Sequence, residues 1–389
     1  MNVLMISRGF PTKKYPQWGC FEKDQAEALA KIGHNVVVVS VDSRFLFSWR
    51  KLGITHISEN GVNYYNSFWI PGVITNLFGL KFNKQIKDLQ IDRIYKIVEK
   101  EHGKPDIIFG QFFFNTFIGV ELKKRYHIPL IGIEHAARFN ADILDKTTSF
   151  QASFAYMHAD KIITVCSPLR DRIKYFFNKD SVVVHNIVDG SFFSDVLTFG
   201  PNVNKIKFVT TGSLIYRKGF DLLPRAFAKL NLPEEKWEMN IIGGGEEREN
   251  LQKQINDLGL QNNIHLLGQK TKTEIVDILR DSNAFILPSR NENFSVAVLE
   301  ALACGLPVIS SICGGIRECI FDFNGLLFPV NDVDALADAI KYMFENYQSY
   351  DRAKIAEDCK NRFSPEVIAR QLTDIFEKVV EEHKQKQLN

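Results

Sequence analysis

The chain has 389 residues, of which 45% are hydrophobic and 24% are charged, a composition typical of globular proteins in water. This length exceeds one ordinary hydrophobic core, so we expect two domains of roughly 150–200 residues each. The 48 basic and 46 acidic residues leave a net charge of only +2, which gives no overall case for a nucleic-acid partner.

The cysteines and the first residues indicate a reducing compartment. The six cysteines form no CxxC pair and no metal-ligand spacing, as is typical of reduced thiols. Arg8 and Pro11 interrupt the start of the chain where a signal peptide needs its apolar centre. The long uncharged run over 62–80 contains several Asn, Gly and Pro residues, so it is a poor membrane span. We therefore expect a cytoplasmic protein.

The first half of the chain alternates strands and helices. An apolar run at 2–6, a helical pattern over 22–32 and the β-branched run at 35–40 predict a βαβ unit. Such continuous apolar runs are typical of strands that are buried on both faces of a parallel sheet. Four further strands are predicted in this half, at 106–110, 129–133, 161–165 and 181–185.

The same pattern starts again after a segment at 186–205 that is rich in turn residues. Strands are predicted at 206–211, 238–243, 263–268, 283–288, 307–310 and 325–328, with helices between them. We therefore predict two α/β domains, 1–190 and 191–363. A last helix over 364–389, with Ser364 as N-cap and Pro365 at its first position, is expected to pack back towards the first domain.

The sequence NENFSVAVLEALACGLPVISSICGG, residues 291–315, carries two acids eight positions apart. Glu292 lies in a predicted loop, and Glu300 lies inside the helix that follows. The backbone N–H groups of residues 295–297 would then lie at a helix N-terminus, where they can hold an anion. The alternative is that an acid here only stabilises its own helix, by ~0.3–1 kcal/mol.

The sequence VTTGSLIYRKGFDLL, residues 209–223, places two cations beside a turn. Gly212 and Ser213 end a predicted strand, and Arg217 and Lys218 stand just before a helix. Two cations in this position suit a diphosphate, whose charge they would stabilise when it leaves. A solvated Arg-Lys pair is the alternative, although the helix dipole disfavours cations at a helix start.

These stretches resemble the retaining family 4 glycosyltransferases, whose pattern is a Glu-x7-Glu pair, Glu-Ala, a small-residue run, Gly-x-Pro-Val and Gly-Gly-x-x-Glu. Here the matching residues are Glu292, Glu300-Ala301, Gly305 with Pro307-Val308, and Gly314-Gly315 with Glu318. The resemblance implies the GT-B fold, in which two Rossmann-like parallel-sheet domains face each other across a cleft. It also implies that Glu292 contacts the hydroxyls of the donor sugar and that Glu300 contacts the ribose.

The resemblance implies roles for residues outside the two acids as well. A histidine after a strand of the first domain, here His135, would approach the donor sugar or the reacting centre, although a lone histidine is often structural. Ser213 stands where the family has an arginine, and Arg217 would take over the role of that arginine. The acceptor side would include Gly19 and Arg8. The donor site would include Gly212, Ser213, Arg217, Lys218, Phe294, Ser295, Val296, Ala297 and Glu300. Ser295 and Cys20 stand where the family commonly has glycine.

Three remaining patterns have simpler interpretations. The run GGGEE at 243–247 predicts a tight strand-to-helix turn near the nucleotide, and the Asp-x-Asp of NDVDAL at 331–336 predicts helix capping instead of a metal site. Segment 44–88 is rich in aromatic residues and lysines. It either meets anionic lipid at the face of the inner membrane or, as we favour, belongs to the first domain's core and an exposed helix.

We therefore predict a retaining hexosyltransferase of the GT-B class that needs no metal and no cofactor. Its partners would be a nucleoside-diphosphate sugar and a sugar, glycan or lipid-linked acceptor, in bacterial surface-glycan or glycolipid assembly. No carboxylate stands out as a nucleophile, so same-face attack is favoured over a covalent intermediate. The alternatives are a catalytically silent, nucleotide-binding subunit and another GT-B enzyme, such as a phosphorylase or a sugar-nucleotide epimerase.

Overall fold

A computed structural model describes residues 1–11, 18–42, 51–69, 79–193 and 205–388. The chain divides into two compact units. The first comprises residues 1–187 together with 365–389, and the second comprises residues 188–364. Each unit contains one sheet whose strands are connected largely through helices.

The first unit contains an eight-stranded sheet in the order β3-β4-β2-β1-β5-β6-β7-β8. Its strands are β1 Asn2–Ser7, β2 Asn35–Val41, β3 Gly53–Glu59, β4 Val62–Phe68, β5 Ile107–Gln111, β6 Leu130–Glu134, β7 Lys161–Thr164 and β8 Val182–Val183. Its helices are α1 Cys20–Lys31, α2 Leu80–His102, α3 Phe112–Tyr126, α4 Lys146–His158, α5 Ser167–Phe177 and, at the end of the chain, α12 Pro365–Leu388.

The second unit contains a six-stranded sheet in the order β11-β10-β9-β12-β13-β14, and all of its strand pairs are parallel. Its strands are β9 Ile206–Thr211, β10 Trp237–Ile242, β11 Ile264–Gly268, β12 Ala284–Leu287, β13 Val308–Ser311 and β14 Gly325–Phe328. Its helices are α6 Leu222–Ala228, α7 Arg248–Asp257, α8 Lys272–Arg280, α9 Val296–Ala303, α10 Val333–Asn346 and α11 Arg352–Phe363.

The two-sheet α/β architecture predicted from the sequence is confirmed. The apolar runs of β1 and β2 are buried along most of their length, because strands at the centre of a parallel sheet are covered on both faces. Parallel neighbours need a crossover connection, which is why a helix follows nearly every strand. The carboxyl ends of the parallel strands in each sheet consequently lie along one edge, where ligands bind in open α/β sheets.

Strands β3 and β4 form a hairpin that the sequence analysis did not predict. They pair antiparallel, and Asn60 and Gly61 form the turn with φ of 49° and 78°, as a two-residue hairpin loop requires. Strand β4 then pairs parallel with β2. The hairpin therefore extends the sheet beyond the predicted βαβ unit.

The hairpin also decides part of the interpretation of segment 44–88. Tyr64, Tyr65 and Phe68 are buried, so these rings belong to the core, as we favoured. Trp69 and Phe82 are partly exposed. The aromatic residues Phe45, Phe47, Trp49 and Phe78 lie outside the described residues.

The final helix α12 belongs to the first unit. Ile368, Leu372 and Phe376 are buried on one face of it, and the ring of Phe376 lies 5.0 Å from that of Phe109 in β5. His34 Nε2 also lies 2.8 Å from Thr373 Oγ1. The chain therefore completes its first unit with its last residues.

No helix within the described residues is long and apolar enough to cross a membrane.

Substitution of Phe376 tests this packing. Phe376→Ala removes a fully buried ring, and such changes typically cost about 3–5 kcal/mol of unfolding free energy. We expect a clearly lower melting temperature, measured by circular dichroism, while the exposed neighbour Lys378→Ala leaves it nearly unchanged. Equal melting temperatures for the two variants would show that α12 does not contribute to the core.

Candidate active site

The edge of the second sheet is built from two loops that touch through their backbones. Strand β9 ends at Thr211 and is followed by Gly212, while β10 ends at Ile242 and is followed by Gly243. A Cβ on Gly243 would lie 1.8 Å from the carbonyl oxygen of Gly212. The backbone N–H of Leu214 donates to Gly244 O at 2.9 Å. The glycine run at 243–245 is therefore a close-packed turn, as predicted, and it supports the loop that carries Gly212 and Ser213.

Arg217 and Lys218 lie in a short 3-10 turn, Tyr216–Lys218, just before α6. Lys218 Nζ lies 2.5 Å from Glu292 Oε1, and Arg217 Nη1 lies 3.3 Å from Glu292 Oε2. A methyl group on Gly212 would lie 3.5 Å from Cε of Lys218. The structure thus brings together the cations, the first glutamate and the glycine that the sequence analysis assigned to the donor site.

The Lys218–Glu292 pair is mostly withdrawn from solvent. Each of the two side chains is only 13% exposed, whereas Arg217 is 38% exposed. Ser289 Oγ donates to Glu292 Oε1 at 3.1 Å. Burial by itself would raise the pKa of Glu292, but the charges of Lys218 and Arg217 and these hydrogen bonds outweigh it and lower the pKa. Glu292 is therefore ionised at neutral pH and can only accept hydrogen bonds.

The Gly-Gly turn after β13 holds the loop that carries Glu292. Gly314 has a φ of 56°, and a Cβ there would lie 2.2 Å from Glu292 O and 2.4 Å from Asn293 O. Gly315 N donates to Asn293 O at 2.6 Å. Only glycine fits this close approach, so the turn at Gly314 and Gly315 holds the backbone of Glu292 in place.

Helix α9 begins directly after this loop. Ser295 occupies the N-cap position, and within the described residues no side-chain hydrogen bond caps the helix. Val296 and Ala297 in the first turn and Glu300 one turn further on are half-buried. The ring of Phe294 is buried and packs 5.7 Å from that of Phe363. At Phe294, a bound ligand could therefore contact the backbone and not the ring.

Arg290 has a structural role in this unit. Its guanidinium donates two hydrogen bonds of 2.7 Å to the carboxylate of Asp221 and a third, also of 2.7 Å, to Tyr216 O. It also stacks over the ring of Tyr216 at 4.0 Å. Arg290 thus braces the turn that carries Arg217 and Lys218, a role that its position at a strand end does not reveal.

In the first unit, Arg8 and Gly19 lie where β1 meets α1. Arg8 forms a two-fold ion pair with the buried Glu22, with N–O distances of 2.6 and 3.0 Å. Gly19 has a φ of 76°, and a Cβ there would lie 2.2 Å from Gly9 O. Burial raises the pKa of the neighbouring Cys20 to about 12, so its thiol is protonated at neutral pH. Within the described residues of this loop, Gly9 and Gly19 thus approach each other closely, next to the paired Arg8.

His135 follows β6, and both His135 and Arg8 contact the ring of Phe112. The ring of Phe112 lies 5.0 Å from the His135 ring and 4.4 Å from Cζ of Arg8. His135 Nδ1 lies 3.2 Å from Asn186 Oδ1, and Nε2 lies 3.1 Å from Gln111 Oε1. Burial lowers the pKa of His135 to about 4, so the imidazole is neutral at physiological pH.

Several residues of these two sites were not found from the sequence. They are polar or aromatic partners of the predicted residues, namely Glu22, Phe112, Ser289 and Glu134, whose carboxylate accepts a hydrogen bond of 2.8 Å from His135 N. Glu22 offered a weak signal, because an acid in the first turn of a helix near an arginine-bearing loop suggests an ion pair. The other three depend on contacts that only the fold creates.

The described residues contain no cluster of three His, Cys, Asp or Glu side chains that could hold a metal ion. Asp332, in the Asp-x-Asp sequence, accepts a hydrogen bond of 2.9 Å from Ala335 N. The predicted capping role of this residue is thus confirmed.

Comparison with known proteins agrees with this architecture. Residues 23–192 match the family model described as Glycosyltransferase Family 4, and residues 198–362 match the one described as Glycosyl transferases group 1. An uncharacterized glycosyltransferase of Methanocaldococcus jannaschii is 24% identical, with 98% of this chain and 99% of that protein covered.

Solved structures show the same fold. Sucrose-phosphate synthase from Thermosynechococcus elongatus superposes with a TM-score of 0.79 at 18% identity, covering 98% of this chain and 100% of that one. Anabaena HepE in complex with UDP-glucose has a TM-score of 0.71 at 17% identity, covering 97% and 100%. The two family matches span most of the chain, which is therefore a glycosyltransferase of the family 4 and group 1 type with the GT-B fold.

Proposed function

We propose that the protein transfers a hexose from a nucleoside-diphosphate sugar to a hydroxyl acceptor, with retention at the anomeric carbon and without a metal ion or cofactor. The observation that carries the proposal is the mostly buried pair of Lys218 and Glu292, beside Gly212. Removing a charged pair from water costs free energy. This pair lies at the edge of the second sheet where ligands bind in open α/β sheets.

The cations of this site suit the diphosphate of the donor. A lysine ammonium has three N–H donors, and the contact with Glu292 uses one of them. Arg217 is more exposed, and the first backbone N–H groups of α9 add a partial positive charge nearby in sequence to Glu292. These groups would stabilise the negative charge that develops on the departing diphosphate, the task that a metal ion performs in other transferases.

The two glutamates suit hydroxyl groups. Glu292 is ionised, so its oxygens accept hydrogen bonds from the hydroxyls of the donor sugar, while Lys218 next to it holds the phosphate. Glu300, one turn into α9, would accept from the ribose. Together they would fix both ends of the donor around its diphosphate.

Retention then follows from attack on the face that the diphosphate leaves. The bond between the anomeric carbon and the diphosphate oxygen breaks, the acceptor oxygen bonds to the same carbon, and the acceptor proton passes to a phosphate oxygen. No carboxylate nucleophile is needed in this scheme. His135, being neutral, would add no charge near the sugar.

The relatives support a nucleotide sugar as donor. The HepE structure contains UDP-glucose, and a starch synthase structure contains ADP. Another neighbour is a lipopolysaccharide outer core galactosyltransferase, which supports a role in surface-glycan assembly. The base and the sugar of the donor are best identified by melting the protein with a panel of UDP-, GDP- and ADP-sugars, since a ligand that binds only the folded form raises the melting temperature.

Lys218→Ala and Glu292→Ala test the donor site. Each removes one partner of the charged cluster, and we expect release of nucleoside diphosphate from the panel sugars to fall by about 10²–10³. The exposed lysine variant Lys253→Ala is the matched control and should keep the wild-type rate. Rates are measured by a coupled assay for the released diphosphate, with melting temperatures to verify folding.

Two outcomes would contradict the proposal. Near-normal rates in both variants would remove the site assignment. Binding of a nucleotide sugar without release of diphosphate, in the presence of varied sugar and glycan acceptors, would identify a catalytically silent subunit instead.

The pH dependence of the rate tests the neutral state of His135. Its pKa lies near 4 instead of 6.5, so the imidazole stays neutral until the pH falls towards 4. We therefore expect the pH profile of kcat/KM to have the same shape around pH 6.5 in the wild type and in His135→Gln. An acid limb centred near pH 6.5 that the substitution abolishes would show that the charged imidazole participates.

A further inference from the structure

Phe112 has a backbone conformation that is unusual for its residue type. Strand β5 ends at Gln111, and Phe112, the first residue of α3, has a φ of 64°. The other non-glycine residues with positive φ in the described part of the chain are three asparagines and one histidine, types that tolerate this region better. A phenylalanine here is strained and persists only because its surroundings hold it.

The surroundings of this turn are closely built. Thr116 Oγ1 lies 3.0 Å from Phe112 O and 3.2 Å from Gly110 O. Phe113 N donates to Glu134 Oε2 at 2.9 Å, and His135 N donates to Glu134 Oε1 at 2.8 Å. Because one buried carboxylate binds both main-chain groups, the turn after β5 and the residue after β6 are fixed to each other.

The ring of Phe112 meets two residues of the candidate site. It lies 5.0 Å from the His135 ring at an angle of 47°, and the guanidinium of Arg8 lies 4.4 Å from its centroid. Phe112 is itself only 8% exposed. It therefore contacts the imidazole with an apolar surface and is too enclosed to be a broad platform for a ligand.

The edges of the imidazole are held by amides. Asn186 and Gln111 each lie at hydrogen-bond distance from one ring nitrogen, and the neutral imidazole, which has a single N–H, donates to one of these two amides. Gln111 Nε2 donates to Gln25 Oε1 at 2.8 Å. With amides at the nitrogens and a phenyl ring against it, the histidine has little freedom to tilt. Burial in this setting also accounts for its low pKa.

We propose that Phe112 is a positioning residue, whose strained turn and ring fix the imidazole of His135 for contact with the sugar donor. This inference rests on the proposed function, in which His135 approaches the donor sugar. Reacting groups must be aligned within a fraction of an ångström, so a strained turn that holds one ring in place is useful at such a site.

Two variants remove the ring and differ in how well they fit the turn. Phe112→Leu keeps apolar volume and removes the ring, whereas Phe112→Gly accommodates the positive φ and removes the ring. Phe150→Leu, on an aromatic residue of the same unit that is 55% exposed, is the control. In both Phe112 variants we expect kcat for diphosphate release from the panel of UDP-, GDP- and ADP-sugars to fall by about 10–100-fold, with KM within about threefold.

The histidine itself supplies the second readout. In NMR titrations of the full chain, the pKa of His135 should move from about 4 towards 6.5 in the Phe112 variants, because water reaches the ring. In a His135→Ala background, Phe112→Leu should cause no further loss of rate beyond about twofold, since the two residues act as one unit. The spectra also show whether each variant is folded.

Wild-type kcat in both variants, an unchanged His135 pKa, or a full additional loss in the His135→Ala background would each overturn the inference. A failure of the proposed function looks different. If His135→Ala alone keeps the wild-type rate, the assigned role of His135 is wrong, while the NMR titration still reports whether Phe112 fixes the ring.

Discussion

The arrangement of the donor site depends on one interaction, the ion pair between Lys218 and Glu292. These residues lie 74 positions apart and meet at 2.5 Å. The pair survives in a largely enclosed position because other groups satisfy it, namely Arg217 and the hydroxyl of Ser289. Leaving either charge unpaired there would be strongly destabilising, so the loops that carry the two residues are held together.

The backbone contacts around the pair follow from this constraint. Gly243 supports the loop after β9 from one neighbouring turn, and Gly314 supports the loop of Glu292 from another. Side chains in either place would push the loops apart. Arg290, through Asp221 and Tyr216, braces the turn of Lys218 from a third direction. The glycines and the arginine are thus part of the same construction as the charges that they support.

Much of the fold could be predicted, and the reason is physical. The central strands of both sheets are continuous apolar runs, because such strands are buried on both faces of a parallel sheet. The hairpin β3–β4 was not predicted, because its first strand is largely exposed and its sequence therefore lacks a continuous apolar run. The Asn60-Gly61 pair, which favours a hairpin turn, was not taken as a turn signal. The candidate site divides in the same way. The spacing of Glu292 and Glu300 is visible in the sequence. Tertiary contacts alone create the pairing of Lys218 with Glu292, the two hydrogen bonds from the backbone to Glu134 and the positive φ of Phe112.

The most direct test of the donor site compares two ligands by calorimetry, using the nucleotide sugar that the melting panel selects and the corresponding nucleoside diphosphate. If Lys218 holds the diphosphate and Glu292 holds the sugar, Lys218→Ala weakens binding of both ligands. Glu292→Gln should then weaken binding of the nucleotide sugar while the nucleoside diphosphate binds as well as before. Unchanged affinity for the nucleoside diphosphate in Lys218→Ala, or equal losses for both ligands in Glu292→Gln, would contradict the account.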